Sequence, residues 1–276
     1  MARAHRGERI AFIVKSLIER PSAVLSLSTF ADRFGAAKST ISEDLAIVRR
    51  GIEDAGAGRI VTMAGAAGGV KYVPSRPVAD IRRIALSVCG MLSSPDRILP
   101  GGFLYMTDLI NSPVLAWEIG EVFATKFAGE GIDYVVTMET RGIPIALMTA
   151  RAMDLPLVVC RRDSGVTEGS SVGINYVSGS TRSIQTMSLP KRALQPGSKA
   201  LVIDDFMKAG GTAKGIADLL GEFDVTVAGT CVVVATSEPG KKLVDEFLAL
   251  AVLEAVDETE RRVKIGPAGW VPEEGR

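Results

Sequence analysis

Residues 199–212, KALVIDDFMKAGGT, decide how the larger part of this 276-residue chain is read. The apolar run up to Ile203 predicts a buried strand, and the pattern after Gly211 predicts a helix over 211–222. Strand, acidic pair, glycine turn and helix, in that order, put Asp204 and Asp205 at the carboxyl end of a strand, where open α/β sheets bind ligands. Gly210 and Gly211 let backbone N–H groups approach a phosphate, the helix N-terminus adds partial positive charge, and Thr212 adds a hydroxyl. The two carboxylates cannot usefully touch that phosphate. They suit ribose hydroxyls instead, or a Mg²⁺ ion, which takes oxygen ligands.

Working outward, YVVTM (134–138), LPLVVC (155–160) and VTVAGTCVVVA (225–235) also read as buried strands, with helices over 112–128 and 142–154. Strands alternating with helices predict an α/β domain with a mostly parallel sheet. METRGIP (138–144) follows one of these strands and offers a second polar loop bearing Glu139, Thr140 and Arg141. Between Arg161 and Arg192 the chain is rich in Ser, Thr and Gly, with short alternating segments GINYV and SIQTM. That pattern predicts a flexible β-ribbon lying over a site.

Before residue 78 the pattern is different. Ile10, Ile13, Val14, Leu17 and Ile18 recur at helical spacing and Pro21 stops the run. LSTFADRF (27–34) predicts a second helix capped by Ser28, and KSTISEDLAIVRRGIEDAG (38–56) a third, with Thr40 and Glu43 at capping-box spacing. RIVTM and VKYVP, joined by AGAAGG (64–69), read as a hairpin. Three helices and a hairpin are the order of a winged helix-turn-helix. Pro74 and Pro77 mark a linker, which divides the chain into a winged-helix domain, 1–74, and an α/β domain, 78–276.

In such a module the start of the third helix faces DNA, which nominates Lys38, Ser39, Thr40 and Ser42. Arg59 and Lys71 flank the small-residue tip of the hairpin as wing contacts, and Arg49 and Arg50 either reach the phosphate backbone or end a solvated helix. The chain as a whole has zero formal net charge, so DNA binding requires local segregation of charge. Residues 1–76 do lean positive, with 12 Lys and Arg against 7 Asp and Glu. One such module makes few phosphate contacts, so a dimer is expected.

Composition excludes several alternatives. With 47% hydrophobic and 23% charged residues the chain is ordinary globular material. No apolar run reaches the roughly 18 residues of a membrane span, and the charged start does not read as a signal peptide, so the expected location is the cytoplasm. His5 is the only histidine, which removes histidine-based triads and metal pairs. Cys89, Cys160 and Cys231 are widely spaced in apolar surroundings and read as buried free thiols. No metal site is nominated.

The DD…AGGT sequence after an apolar strand resembles the phosphoribosyl pyrophosphate (PRPP) motif of type I phosphoribosyltransferases. METRGIP lies where those enzymes carry their pyrophosphate loop, and RRDSGVTEG (161–169) with its ribbon matches their flexible loop. Together with the winged helix and the strings VTEGSSVGINYVSGS and IDDFMKAGGT, the whole chain resembles the purine operon repressors of Gram-positive bacteria. The resemblance implies a dimer that binds operator DNA and releases it when PRPP, with or without Mg²⁺, enters the pocket. It also implies that guanosine tetraphosphate competes there, and that no other cofactor is required. The effector residues it points to are Asp204, Asp205, Phe206, Met207, Lys208, Ala209, Gly210, Gly211 and Thr212, with Glu139, Thr140 and Arg141 from the second loop and Tyr105 from GGFLYMTD.

The loop departs from the enzyme pattern at two places. Phe206 stands where a small aliphatic residue is usual, and Lys208-Ala209 where Ala-Thr is usual. Phe206 is large enough to stack on a base or to fill the core beneath the loop, and Lys208 brings charge to the phosphate. Tyr105 either lines the site or packs elsewhere. No general acid or base can be assigned, so the expected role is sensing without turnover. The alternative is an active purine phosphoribosyltransferase carrying an added DNA-binding domain.

Overall fold

A computed structural model describes residues 4–65, 68–162, 169–177 and 183–273. They form two compact units, Met1–Pro77 with Arg151–Asp154, and Val78–Ala150 with Leu155–Arg276.

The first unit is helical up to a terminal hairpin: α1 (Arg6–Glu19), α2 (Leu27–Phe34), α3 (Lys38–Asp54), then antiparallel β1 (Gly58–Met63) and β2 (Gly69–Pro74). Ile13 and Leu17 of α1, Phe30 of α2 and Ile41, Leu45 and Val48 of α3 meet Ile60 and Val70 of the hairpin in one core. The helix starts differ from the sequence reading. Ser26, and not Ser28, caps α2, its side chain accepting from the Ser28 amide. The N-cap of α3 is Ala37, with no side-chain cap, so Thr40 already lies inside the first turn and makes no capping box with Glu43. The core positions Ile41, Leu45 and Val48 hold this helix in place, and burial of an apolar face outweighs a missing cap.

Asp44 is a buried carboxylate on α3, only 1% exposed. Arg9 donates to it through Nε at 2.7 Å and Arg6 through Nε at 3.1 Å, tying α1 to α3. Arg33 lies 4.0 Å from the centre of the Phe12 ring, a cation–π contact between α2 and α1.

The second unit runs α4 (Val78–Leu92), β3 (Ile98–Leu99), β4 (Phe103–Leu104), α5 (Thr107–Ile110), α6 (Pro113–Lys126), β5 (Tyr134–Met138), α7 (Ile143–Met153) and β6 (Leu157–Cys160). It continues with β7 (Ser171–Val177), β8 (Ile184–Pro190), β9 (Lys199–Met207), α8 (Gly211–Gly221), β10 (Thr226–Thr236), β11 (Leu248–Asp257) and β12 (Arg262–Pro267). Its main sheet has the order β12-β11-β10-β9-β5-β6, parallel throughout except for β12 at the edge. The four strands read from the sequence are present, and β11 and β12 extend the sheet beyond them. A separate antiparallel ribbon is made by β7 and β8. From β5 the chain first moves outward to β6 and later returns to the other side of β5 as β9. The reversal of strand order between β5 and β9 opens a crevice at their carboxyl ends.

Cys89, Cys160 and Cys231 are free and buried, as read from the sequence. Burial pushes the Cys160 thiol up to about 12 and that of Cys89 to about 11, so neither is a thiolate nucleophile near neutral pH. Among the described residues no helix is long and apolar enough to cross a membrane.

Candidate functional site

At the β5/β9 crevice lies a cavity of about 320 Å³. Asp204 through Thr212 line one side of it and Glu139, Thr140 and Arg141 the other. The effector residues nominated from the sequence therefore converge, except Tyr105. That residue is exposed, precedes α5 and does not line the cavity. It is fixed there by its own backbone, whose N–H donates to Arg97 and whose carbonyl accepts from the Arg97 guanidinium. Met207 borders the cavity, yet its side chain belongs to the core with Ala213, Val232 and Ala235. β9 runs through to Met207, so the acidic pair and Phe206 sit on the strand itself, and only Lys208 to Gly210 form the loop. Phe206 is half-buried and faces the cavity.

Two glycines set the walls. Gly210 caps α8 in a left-handed conformation with φ 85°, and a Cβ there would stand 3.3 Å from the Leu243 amide nitrogen. Gly142 lets the 139–142 loop approach β9, because a Cβ there would lie 2.3 Å from Thr137 Oγ1 and 3.2 Å from Asp204 Oδ1. The Glu139–Thr140 peptide bond is cis.

Asp204 Oδ1 accepts from the Asp205 amide at 2.9 Å. Burial, followed by the neighbouring Asp205 charge, holds the Asp204 carboxyl well above the usual carboxylate range. Asp205 is 4% exposed, and Arg141 Nε approaches its Oδ2 at 3.2 Å as an ion pair. That contact lacks hydrogen-bond geometry, so among the described residues Oδ2 is a buried acceptor with no hydrogen-bond donor. Such an atom at a cavity wall calls for a ligand hydroxyl or a cation.

Glu139 has a structural task of its own, since its Oε1 accepts from the Arg162 amide at 2.7 Å and so bridges the two cavity loops. Among the lining residues that escaped the sequence reading are three with polar side chains: Arg162, Tyr176 and Gln185. The last two lie on the ribbon, and the Tyr176 hydroxyl donates to Gln185 Oε1 at 2.8 Å. Burial pushes the Tyr176 phenol upward. The signal for them was available in GINYV and SIQTM, whose alternation turns Tyr176 and Met187 to the buried side. Most of the segment matched to a flexible loop, residues 163–168, lies outside the described residues, as do 178–182.

In the first unit Lys38, Ser39 and Ser42 are exposed at the start of α3, and Thr40 is half-buried. Ser42 Oγ is occupied locally, donating to the Lys38 carbonyl. Arg49 donates to Thr62 Oγ1 at 2.9 Å and so joins α3 to the hairpin, leaving Arg50 as the exposed one of the pair. Arg59 does not flank the hairpin tip. It pairs with Val73 near the open end, because β1 already starts at Gly58, whereas Lys71 pairs with Val61 nearer the turn. Ala66 and Ala67 of the tip lie outside the described residues.

Residues 5–74 match the family described as bacterial purine repressor, N-terminal, and residues 110–265 match the phosphoribosyl transferase domain. The chain is 44% identical over 260 residues to the purine biosynthesis transcriptional repressor PurR of Bacillus subtilis, covering 94% of this chain and 91% of that one. It belongs to the PurR family. Another member, the purine biosynthesis transcriptional activator PurR of Lactococcus lactis subsp. lactis, is 36% identical over 262 residues, 94% of this chain and 96% of its own. In fold, the PurR-family chain is similar to an adenine phosphoribosyltransferase from Thermoanaerobacter pseudethanolicus, with a TM-score of 0.52 and 17% identity over 60% of this chain and 98% of that one. This PurR-family protein thus joins a winged helix-turn-helix to a phosphoribosyltransferase-type α/β unit whose cavity lies at the switch point of its sheet.

Proposed function

We propose that this chain is a transcriptional repressor of purine-biosynthesis genes, binding operator DNA through its winged unit and releasing it when PRPP occupies the β5/β9 cavity. The observation that carries this reading is the convergence of Asp204–Thr212 with Glu139–Arg141 around one cavity, in a chain whose other unit exposes Lys38, Ser39 and Ser42 on the recognition helix. The ligand's ribose hydroxyls donate to Asp204 and Asp205, giving Asp205 Oδ2 the hydrogen bond that it lacks among the described residues. Its phosphates meet the 208–212 amides and Arg141. Mg²⁺ fits the same oxygen donors and would neutralise the pyrophosphate; the carboxylates of Asp204 and Asp205 would hold it. Guanosine tetraphosphate, which also pairs phosphates with a ribose, competes for this cavity. Repression, and not activation, is assigned because the relative at 44% identity is named a repressor and the activator is at 36%.

The protein acts as a homodimer in the cytoplasm, where two winged units give enough phosphate contacts for a stable complex. The pocket serves sensing and not turnover.

The decisive experiment titrates labelled operator DNA with purified protein, with and without PRPP and Mg²⁺. Operator affinity is expected to fall when PRPP is added, and the joint change Asp204→Ala with Asp205→Ala is expected to abolish that fall while leaving DNA binding intact. A preserved response in the double variant would place the ligand elsewhere. Nucleotide formation at enzymatic rates from PRPP and a purine base would favour a transferase instead. Changing Lys38 and Thr40 to Ala should weaken operator binding with little effect on PRPP affinity.

A further inference from the structure

Against the backbone of the Lys208–Gly210 loop lies a buried lysine. Lys242 is 8% exposed and does not line the cavity. Its Nζ donates to the carbonyl of Lys208 at 2.6 Å, to that of Thr236 at 2.7 Å and to Thr236 Oγ1 at 3.2 Å. Thr236 Oγ1 itself lies 3.2 Å from the same Lys208 carbonyl. One residue on, the Leu243 amide donates to the Ala209 carbonyl at 2.9 Å. Two successive carbonyls of the loop are therefore pinned outward by one segment.

Peptide geometry makes this consequential. In a trans peptide the C=O and the following N–H point in opposite directions. Holding the Lys208 carbonyl on Lys242 turns the Ala209 N–H toward the cavity, and holding the Ala209 carbonyl on Leu243 does the same for the Gly210 N–H. No described residue accepts from either amide. They continue into the N-terminus of α8, so that successive amides form a concave anion-binding surface. If the Lys208 peptide turned over, it would present a carbonyl to the ligand's phosphate, which repels it.

We infer that Lys242 is a positioning residue for the phosphate site: its ammonium locks the Lys208 peptide in the orientation that offers the Ala209 amide to the ligand. Its charge adds attraction from beneath the loop. Burial lowers the Lys242 pKa from its ordinary value, opposed by the nearby Glu238 charge, consistent with a desolvated ammonium. Val244 and the Leu243 backbone, against which Gly210 packs, complete the same support.

This inference rests on the cavity binding a phosphorylated ribose, and the test separates the two. Full-length protein and the variants Lys242→Met and Thr236→Val are titrated calorimetrically with PRPP and Mg²⁺, and with ribose 5-phosphate. Operator affinity and thermal unfolding are measured in parallel. The wild type is expected to bind PRPP; if it does not, the effector reading falls and takes this inference with it. Lys242→Met is expected to lose at least tenfold in affinity for both ligands, Thr236→Val about threefold, with operator affinity unchanged. In amide NMR spectra, the ligand-induced shifts of Ala209 and Gly210 should shrink in both variants, whereas a merely structural role would leave them as in the wild type. Should Lys242→Met fail to fold, Thr236→Val decides. Wild-type affinities and wild-type amide shifts in the folded variants overturn the proposal.

Discussion

Asp204 shows how a carboxyl at a cavity wall can work against stability. Its carboxyl is held well above the usual carboxylate range by burial and by Asp205, so the folded state keeps a proton that the unfolded chain gives up near pH 4. For an acid raised in this way, folding stability falls as pH rises from the unfolded value through the folded one, since the native state binds more protons there. Replacing Asp204 by Asn removes the ionisation and keeps an oxygen able to accept from the Asp205 amide. The variant is expected to be more stable than the wild type at pH 8, with a higher melting point, and the difference is expected to vanish toward pH 4. Thermal unfolding from pH 4 to pH 8 measures this, and an equal or lower melting point for the Asn variant at pH 8 would refute it. The same residue was legible in the sequence because the acidic pair had no use for a phosphate. What could not be read was that, among the described residues, a buried oxygen of Asp205 is left without a hydrogen bond, or that Glu139 spends one oxygen on the Arg162 backbone. The first depends on how β9 meets β5, a contact between segments some 65 residues apart, and the second on the pairing of β5 with β6, and no local pattern encodes either.

At the scale of elements, local periodicity found those with a one-sided or wholly apolar pattern and missed those set by partners. The strand β11 reads LALAVLEAVD, and its Ala, Leu and Glu content has more helix than strand propensity. It becomes a strand because it pairs in parallel with β10, and pairing in a sheet overrides intrinsic preference. Likewise Thr40 and Glu43 have capping-box spacing without capping, because α3 begins at Lys38 to bring Ile41 and Leu45 inward. Asp44 was invisible for the same reason: a carboxylate in a helix normally faces water, and only the arrival of α1 with Arg6 and Arg9 buries it. Removing one partner of a buried ion pair leaves an uncompensated charge. Asp44→Ala strands Arg9, whose side chain is only 11% exposed, and is expected to destabilise the winged unit by about 3 kcal/mol. Operator binding should fall, while the PRPP binding proposed for the other unit should be retained. Denaturant unfolding followed by calorimetry on the same sample checks both, and loss of PRPP binding would show that the two units do not fold independently.

For the whole molecule, the regulatory reading rests on two ligands sharing one chain, and thermodynamics fixes how they must behave. If PRPP weakens operator binding by a given factor, operator DNA must weaken PRPP binding by the same factor, because the coupling free energy belongs to both equilibria. Allosteric couplings are typically about 5–150-fold, on the order of 1–3 kcal/mol, well within the reach of direct titration. The zero net charge of the chain also matters, because the pull on DNA comes from the modest excess of cations in residues 1–76 and is strongly screened by salt. PRPP carries negative charge, so its repulsion of DNA is a second route by which it would weaken operator binding. A conformational coupling and a charge effect separate by their salt dependence. We predict that the PRPP affinity measured with saturating operator is reduced by the same factor as the operator affinity measured with saturating PRPP. We further predict that this factor changes less than threefold between 50 and 200 mM salt, while the operator affinity itself changes by orders of magnitude over that range. Unequal factors would mean that PRPP acts at more than one place, and a coupling that disappears with salt would reduce the sensor to charge repulsion.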